Sequence, residues 1–92
     1  MVKRAQAAET PQPRVVGCDG WTRTAEQDAE LDAMMAAAFG GEAGRNALAY
    51  LRSITIEVVC GPEIADAKLR HLEGMRALVG IIETRVRRGN SA

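Results

Sequence analysis

The residues with the clearest chemical potential are three arginines near the C-terminus, Arg85, Arg87 and Arg88. Guanidinium groups at this spacing can contact the phosphates of double-stranded DNA or an acidic protein surface. Cations at the end of a helix also offset the helix dipole, so a purely structural role remains an alternative. We predict weak DNA binding through these arginines, joined by Lys3 and Arg4 near the N-terminus.

The other reactive residue types show no catalytic or metal-binding pattern. His71 is the only histidine, and the positions one turn away offer no second metal ligand. Cys18 and Cys60 are too far apart for a Cys-x-x-Cys motif, so we interpret them as free thiols. The glycines that follow residue 39 match neither nucleotide-binding fingerprint. We therefore predict no catalytic residues, no metal, no cofactor and no small-molecule substrate.

The overall charge limits the kind of DNA binding that is plausible. The chain has 92 residues and a formal net charge of zero, which excludes a strongly basic protein that binds through many phosphate contacts. Acidic residues concentrate between positions 26 and 42, and basic residues concentrate after position 64. This separation favours head-to-tail contact between copies or a basic surface for an acidic partner, unless the two regions are simply solvated faces of opposite sign.

The first predicted helix begins after Thr24. Thr24 and Gln27 have the spacing of a capping box, and acidic residues follow, as the positive end of a helix dipole favours. Gly40 and Gly41 are expected to end this helix through a left-handed backbone conformation.

The second predicted helix begins near Glu42 and continues to Gly61 and Pro62. Residues 54–59 are rich in β-branched side chains and half alternating, so a short strand is the competing interpretation there. We favour the helix, because the apolar stripe is continuous and no partner strand is visible.

The third predicted helix runs from about residue 64 or 65 to Arg88. Its apolar residues recur at alternating steps of three and four, which places them on one stripe. Together with the apolar face of the second helix, this stripe forms the predicted core: Leu48, Leu51, Ile54, Leu72, Met75, Val79, Ile82 and Val86.

These elements predict an all-α fold of three helices that contains a long antiparallel helical hairpin. Residues 1–22 are expected to be a flexible arm, residues 23–89 a single helical domain and residues 90–92 a frayed end. A domain this small rarely stabilises itself through its own core, so we expect it to form an oligomer. No apolar run reaches the length of a membrane span, and the N-terminus lacks a signal peptide pattern.

A second face of the third helix carries Gly74, Ala77 and Ile81, also at three- and four-residue steps. Small side chains allow another backbone to approach closely, which makes this face a candidate interface between copies or with another partner. A tolerant, unpartnered surface is the alternative.

Two stretches carry a family resemblance. The first is Phe39-Gly-Gly-Glu-Ala-Gly44-Arg45 with Leu48 and Leu51, and the second is residues 69–76, which contain Glu73-Gly74-x-Arg76. In these stretches, the chain resembles a family of short proteins of tailed phages and gene transfer agents. Relatives in gene transfer agents are thought to act as the small terminase subunit.

This resemblance implies a non-enzymatic DNA-packaging factor, located in the cytoplasm of a bacterial host or on the virion. It implies a homo-oligomeric ring, weak multivalent contact with double-stranded DNA, and the large terminase subunit as a partner. Phage small terminases usually begin with a helix-turn-helix domain, which the first 20 residues cannot form. The family's motif positions also suggest an ion pair between Arg45 and Glu73. A structural protein of the virion head or portal region, and a small protein-binding regulator, remain alternative functions.

Overall fold

A computed structural model describes residues 13–91 of the chain. In this range the fold is mostly helical with one small sheet. The elements are β1 (Arg14–Val16), β2 (Thr22–Thr24), α1 (Ala25–Phe39), α2 (Glu42–Ser53) and α3 (Asp66–Ser91). None of these helices combines the length and the apolar character needed to cross a bilayer.

A β-hairpin occupies part of the expected flexible arm. Strands β1 and β2 pair antiparallel with Val15 opposite Arg23. Gly20 lies in the connecting turn with φ of +87°, a conformation that glycine adopts at little cost. The expectation of an all-α fold is therefore replaced by a helical fold with a two-stranded sheet. Residues 1–12, which include Lys3 and Arg4, lie outside the described range.

Helix α1 begins with the expected capping box. The Thr24 hydroxyl accepts a hydrogen bond from the Gln27 backbone N–H at 3.1 Å, and the Gln27 side chain accepts one from the Thr24 N–H at 3.2 Å. The predicted C-terminus is wrong in its detail, because Gly40 has φ of −84° and is right-handed. Among the described residues, Gly20 alone has positive φ.

A tight corner joins α1 to α2. A Cβ atom on Gly44 would lie 2.5 Å from the Ala38 carbonyl oxygen and 2.6 Å from the Phe39 Cα, so this position has room only for glycine. The Arg45 side chain donates a hydrogen bond to the Gly40 carbonyl. The motif from Phe39 to Arg45 thus builds the corner between two helices.

Helix α2 ends at Ser53, well before Gly61 and Pro62. Residues 54–57 form a turn, so both sequence interpretations of this segment, helix and strand, are wrong. The Thr55 hydroxyl donates to the Leu51 carbonyl at 2.6 Å, and the Arg76 guanidinium donates to the carbonyls of Thr55 and Val58. Side chains therefore satisfy backbone groups that a continuous helix would have paired.

Helix α3 extends to Ser91, so the expected fraying of residues 90 and 91 is not observed. Its last turns lie against α1, because a Cβ on Gly89 would collide with the Asp32 carbonyl and lie 2.6 Å from the Ala36 Cβ. Asp28 precedes these α1 residues and contacts Arg85, which precedes Gly89. The two helices therefore run in the same direction.

Helix α2 runs antiparallel to α3 as the expected hairpin. Arg52 near the end of α2 forms an ion pair with Glu83, and Leu48 shares a surface depression with Val86 and Asn90. The contacts that hold α1 against α3 lie at Arg85 and Gly89, in the C-terminal half of α3, whereas Arg76 in the other half binds the segment that connects α2 to α3.

The resulting core is small. Among the described hydrophobic residues, only Leu72 and Val79 are buried, with 8% and 4% of their surface exposed. Within the predicted stripe, Ile54 and Met75 are exposed, whereas the remaining members are half-buried: Leu48, Leu51, Ile82 and Val86. The predicted stripe is therefore only partly covered within one copy of the chain.

Candidate functional site

Arg85 is not part of an exposed basic tip. Only 3% of its surface is exposed. Its guanidinium donates to the Asp28 carboxylate at 2.9 Å, to the Asp32 carboxylate at 2.9 Å and to the Asp28 backbone carbonyl at 3.2 Å. This corrects the prediction that Arg85 contacts DNA. The physical reason is that α1 lies alongside α3 and presents two carboxylates, spaced four residues apart, to this side chain.

The β-hairpin covers this contact and adds a second arginine. Asp19 accepts hydrogen bonds from Arg23 at 2.7 and 3.0 Å and lies 3.5 Å from Arg85. Gly17 is buried directly above, since a Cβ there would lie 2.7 Å from an Asp28 oxygen. We call these five charged residues the ion-pair cluster: Asp19, Arg23, Asp28, Asp32 and Arg85.

The ionisation of the cluster follows from this geometry. Hydrogen bonds from the Arg23 side chain and the Trp21 backbone hold the pKa of Asp19 well below its ordinary value. Burial alone would lower the pKa of Arg85, yet its hydrogen bonds with Asp28 and Asp32 raise that pKa above the ordinary arginine value. The hydrogen bond with Asp19 raises the pKa of Arg23. Asp19, Arg23 and Arg85 are therefore charged at neutral pH.

The charged side chains of the ion-pair cluster pair with one another. Every buried side-chain nitrogen and oxygen in the described part of the chain has a hydrogen-bond partner. Three carboxylates face two guanidinium groups, with Arg88 4.0 Å from Asp28 at the edge. The cluster therefore joins α1, α3 and the hairpin. For these residues, the separation of acidic and basic regions serves pairing within one chain.

The remaining arginines of the predicted DNA site are accessible. Arg87 is exposed and lies 3.4 Å from the Thr84 hydroxyl, and Arg88 keeps half of its side chain exposed. Arg70 and Lys68 are exposed near the opposite end of α3. Cations are thus spread along this helix.

The predicted pair of Arg45 and Glu73 does not form. Arg45 binds the Gly40 carbonyl, and Glu73 pairs with Arg76 at 2.6 Å. The ion pair that connects the helical hairpin is instead Arg52 with Glu83 at 2.7 Å. The hydrogen bond with Glu83 raises the pKa of Arg52. Spacing alone did not distinguish these partners, because several arginines and glutamates lie on facing helices.

The candidate interface face of α3 is open. Gly74 and Ala77 are exposed and Ile81 is half-buried. A Cβ on Gly74 or Gly80 would meet no atom within 4 Å, so no contact in the described chain requires glycine at either position. Leu78 beside this face is 60% exposed.

An apolar groove lies next to this half of α3. It has a volume of about 590 Å³, and Val59 at its edge is 92% exposed. His71 and Cys60 line it among aliphatic side chains. In the described ranges, no three His, Cys, Asp or Glu residues gather as ligands of a metal would.

Comparisons with known proteins leave this geometry as the main basis for a functional assignment. The chain matches no protein-family model, and no curated protein or solved structure is significantly similar to it.

Proposed function

We propose that this protein is a non-enzymatic assembly factor of a phage or gene-transfer-agent DNA-packaging machinery. In this role it works as a homo-oligomer, in the manner of a small terminase subunit, and helps deliver double-stranded DNA to the large terminase subunit in the host cytoplasm. The observation that carries the proposal is the imbalance between buried and exposed apolar side chains. Two are buried, whereas Met34, Tyr50, Val59 and Leu78 are all more than half exposed.

This imbalance has an energetic consequence. Burying an aliphatic side chain fully contributes about 1.5–3 kcal/mol, so two such residues offset little of the conformational entropy lost on folding. Ion pairs at the surface add about 0–1 kcal/mol each. A partner that covers the exposed side chains supplies the missing stabilisation, and additional copies of the same chain are the simplest such partner.

The DNA contact in this proposal is weak for each subunit. With Arg85 engaged in the ion-pair cluster, Arg87 and Arg88 are the accessible arginines at the C-terminal end of α3. Two phosphate contacts for each chain give useful affinity only when an oligomer presents many of them together. The role in packaging itself is supported by the motif resemblance alone.

The test is native mass spectrometry of the purified protein with and without double-stranded DNA, combined with a salt titration. We expect an oligomer whose DNA affinity falls with salt, by a slope of about 0.9 for each phosphate contact in a log–log plot. Substituting both Arg87 and Arg88 with Gln should reduce that slope, and Arg87→Gln alone should reduce it in part without changing the oligomer. Lys68→Gln with Arg70→Gln is the matched control, since it removes the same charge elsewhere on α3. A monomer indifferent to DNA would overturn the proposal.

The position of Arg85 favours a second function, that of a virion structural protein. Because Arg85 is engaged in ion pairs, one fewer arginine is available for DNA binding. Apolar side chains are then the main exposed feature. Such a protein would assemble on a head or portal partner and ignore DNA. Co-purification with assembled particles, together with an unchanged salt slope in the Arg87 and Arg88 double substitution, would support it over the packaging role.

A further inference from the structure

The middle of α3 has an exposed side that carries few charges. From Gly74 to Ile82 the helix has one charged side chain, and that side chain, Arg76, turns towards the connecting segment to bind the carbonyls of Thr55 and Val58. Solvent on this side of α3 therefore meets Gly74, Ala77, Leu78 and Ile81. An exposed helix without a solvating charge over two turns is typical of a surface that another molecule covers.

Charged residues border this apolar stretch on both sides. Asp66 lies eleven residues before Ala77, and Arg88 lies eleven residues after it. Eleven residues are about three helical turns, so all three residues lie on one line along α3, with each charge about 16 Å from Ala77. Asp66 and Ala77 are exposed, and half of the Arg88 side chain is accessible, with its guanidinium also 4.0 Å from Asp28. Arg70, seven residues before Ala77, is exposed on the same line, and antiparallel packing about Ala77 would place it opposite Thr84.

The order of these charges selects the partner and its direction. A second copy of α3 packed in the same direction would place Asp66 beside Asp66 and Arg88 beside Arg88. A second copy packed antiparallel about Ala77 would place each Asp66 opposite an Arg88. It would also bring Gly74 opposite Gly80 on both sides of the centre, where no side chain occupies the space. The helix dipoles are opposed in the same arrangement, which is favourable.

We infer that the outer face of α3, formed by Asp66, Gly74, Ala77, Ile81 and Arg88, is the contact between two copies of this chain, packed antiparallel about a two-fold axis at Ala77. This rests on the homo-oligomer of the proposed function and specifies its first contact. An isologous contact of this kind closes on itself and makes a dimer, so a larger ring requires a second, different contact.

The decisive experiment is cysteine cross-linking at the axis. In a chain with Cys18→Ser and Cys60→Ser, the Ala77→Cys substitution places two thiols opposite each other at the two-fold axis. We expect rapid oxidation to a covalent dimer on a non-reducing gel. Ala49→Cys in the same background is the matched control, because Ala49 is an exposed alanine within α2 and should cross-link slowly. Equal rates at the two positions would overturn the inference.

A second experiment measures the association directly. Ala77→Glu buries a carboxylate at the centre of the contact and should convert the dimer to a monomer in native mass spectrometry, whereas Ala49→Glu should leave the mass unchanged. Circular dichroism establishes whether each variant keeps its helices. If Ala77→Glu stays helical and dimeric, the contact lies elsewhere.

Charge exchange tests the direction of the packing. Asp66→Arg alone or Arg88→Asp alone should weaken the dimer by about two- to five-fold for each pair lost, and the double substitution should restore it. Because Arg88 also lies 4.0 Å from Asp28, urea unfolding of Arg88→Asp measures its separate effect on the fold of one chain. A double substitution as weak as the singles would exclude the antiparallel arrangement.

The outcomes separate this inference from the proposed function. A dimer that cross-links through position 77 and does not bind DNA would support the contact and contradict the packaging role. A DNA-binding oligomer that does not cross-link there supports the packaging role and places its interface on another surface.

Discussion

The guanidinium of Arg85 binds both the carboxylate and the backbone carbonyl of Asp28, at 2.9 and 3.2 Å, across 57 positions of sequence. This contact fixes the start of α1 against the last part of α3. It also decides what Arg85 can do, since a buried guanidinium with two carboxylate partners is not available to a phosphate.

Replacing Arg85 with Met should be strongly destabilising. Asp28 and Asp32 would keep their positions with little access to solvent and lose their shared cation. Removing one partner of a buried ion pair typically costs about 3–5 kcal/mol, which urea unfolding followed by circular dichroism can measure. Arg87→Met is the control, since Arg87 is exposed on the same helix and the change should cost less than about 0.5 kcal/mol. Equal costs would contradict the assigned role of Arg85.

Lowering the pH should remove the contribution of the Asp19 carboxylate to the free energy of unfolding. Its pKa is lowered in the folded chain by the hydrogen bonds from Arg23 and Trp21, below the ordinary value of 3.8. A lowered folded-state pKa gives stability that is present above the unfolded-state pKa and is lost as the pH falls through the folded value. The difference in unfolding free energy between the native chain and Asp19→Asn should therefore be constant near neutral pH and shrink below pH of about 4. A difference that persists undiminished at lower pH would exclude this explanation.

The two candidate ion pairs of the helical hairpin can be compared by double-mutant cycles. We expect Arg52 and Glu83 to show a coupling energy of about 0.2–1 kcal/mol, because their atoms are 2.7 Å apart at a partly exposed position. The same cycle on Arg45 and Glu73 should give a coupling near zero, since each of these residues binds a different partner. A larger coupling energy for Arg45 and Glu73 than for Arg52 and Glu83 would support the pairing that the sequence motif suggested.

Two glycines of α3 should respond oppositely to the same substitution. Gly89→Ala would force a Cβ into the backbone of Asp32, and overpacking of this kind costs about 1–3 kcal/mol. Gly80→Ala meets no neighbour and should stabilise the helix by up to about 1 kcal/mol through helix propensity. Thermal unfolding at low protein concentration, where association contributes least, measures both changes. Equal shifts in melting temperature would argue against close packing of α1 at Gly89.

Local signals in the sequence predicted the start of α1 and the course of α3. Thr24 and Gln27 marked the first helix because a capping box involves residues three apart, and the apolar periodicity marked α3. The β-hairpin also has a local signal in the sequence. Residues 17–20 form a turn centred on Cys18 and Asp19, which the Gly20 N–H closes by donating to the Gly17 carbonyl at 2.9 Å. Gly20 follows with positive φ, and glycine in this place between β-branched residues is a hairpin pattern.

The site residues were harder to predict because their roles depend on which helices meet. Periodicity places Arg85 near the apolar stripe of α3 but does not show that α1 lies there with Asp28 and Asp32. The early end of α2 has a similar origin, since Arg76, 21 positions away from Thr55, binds the carbonyls of the turn. Short-range patterns contain no information about such distant partners.

The contacts of Arg76 and Arg85 close chain loops of different lengths, and this difference suggests an order of folding. Arg76 reaches Thr55 across 21 positions, whereas Arg85 reaches Asp28 across 57. The longer closure costs about 0.9 kcal/mol more in chain entropy. We therefore expect α2, its connecting turn and α3 to associate first, with α1 and the hairpin docking afterwards. In that interval Asp28 and Asp32 are still hydrated, and desolvation of the ion-pair cluster becomes the final step that commits the chain to its native arrangement.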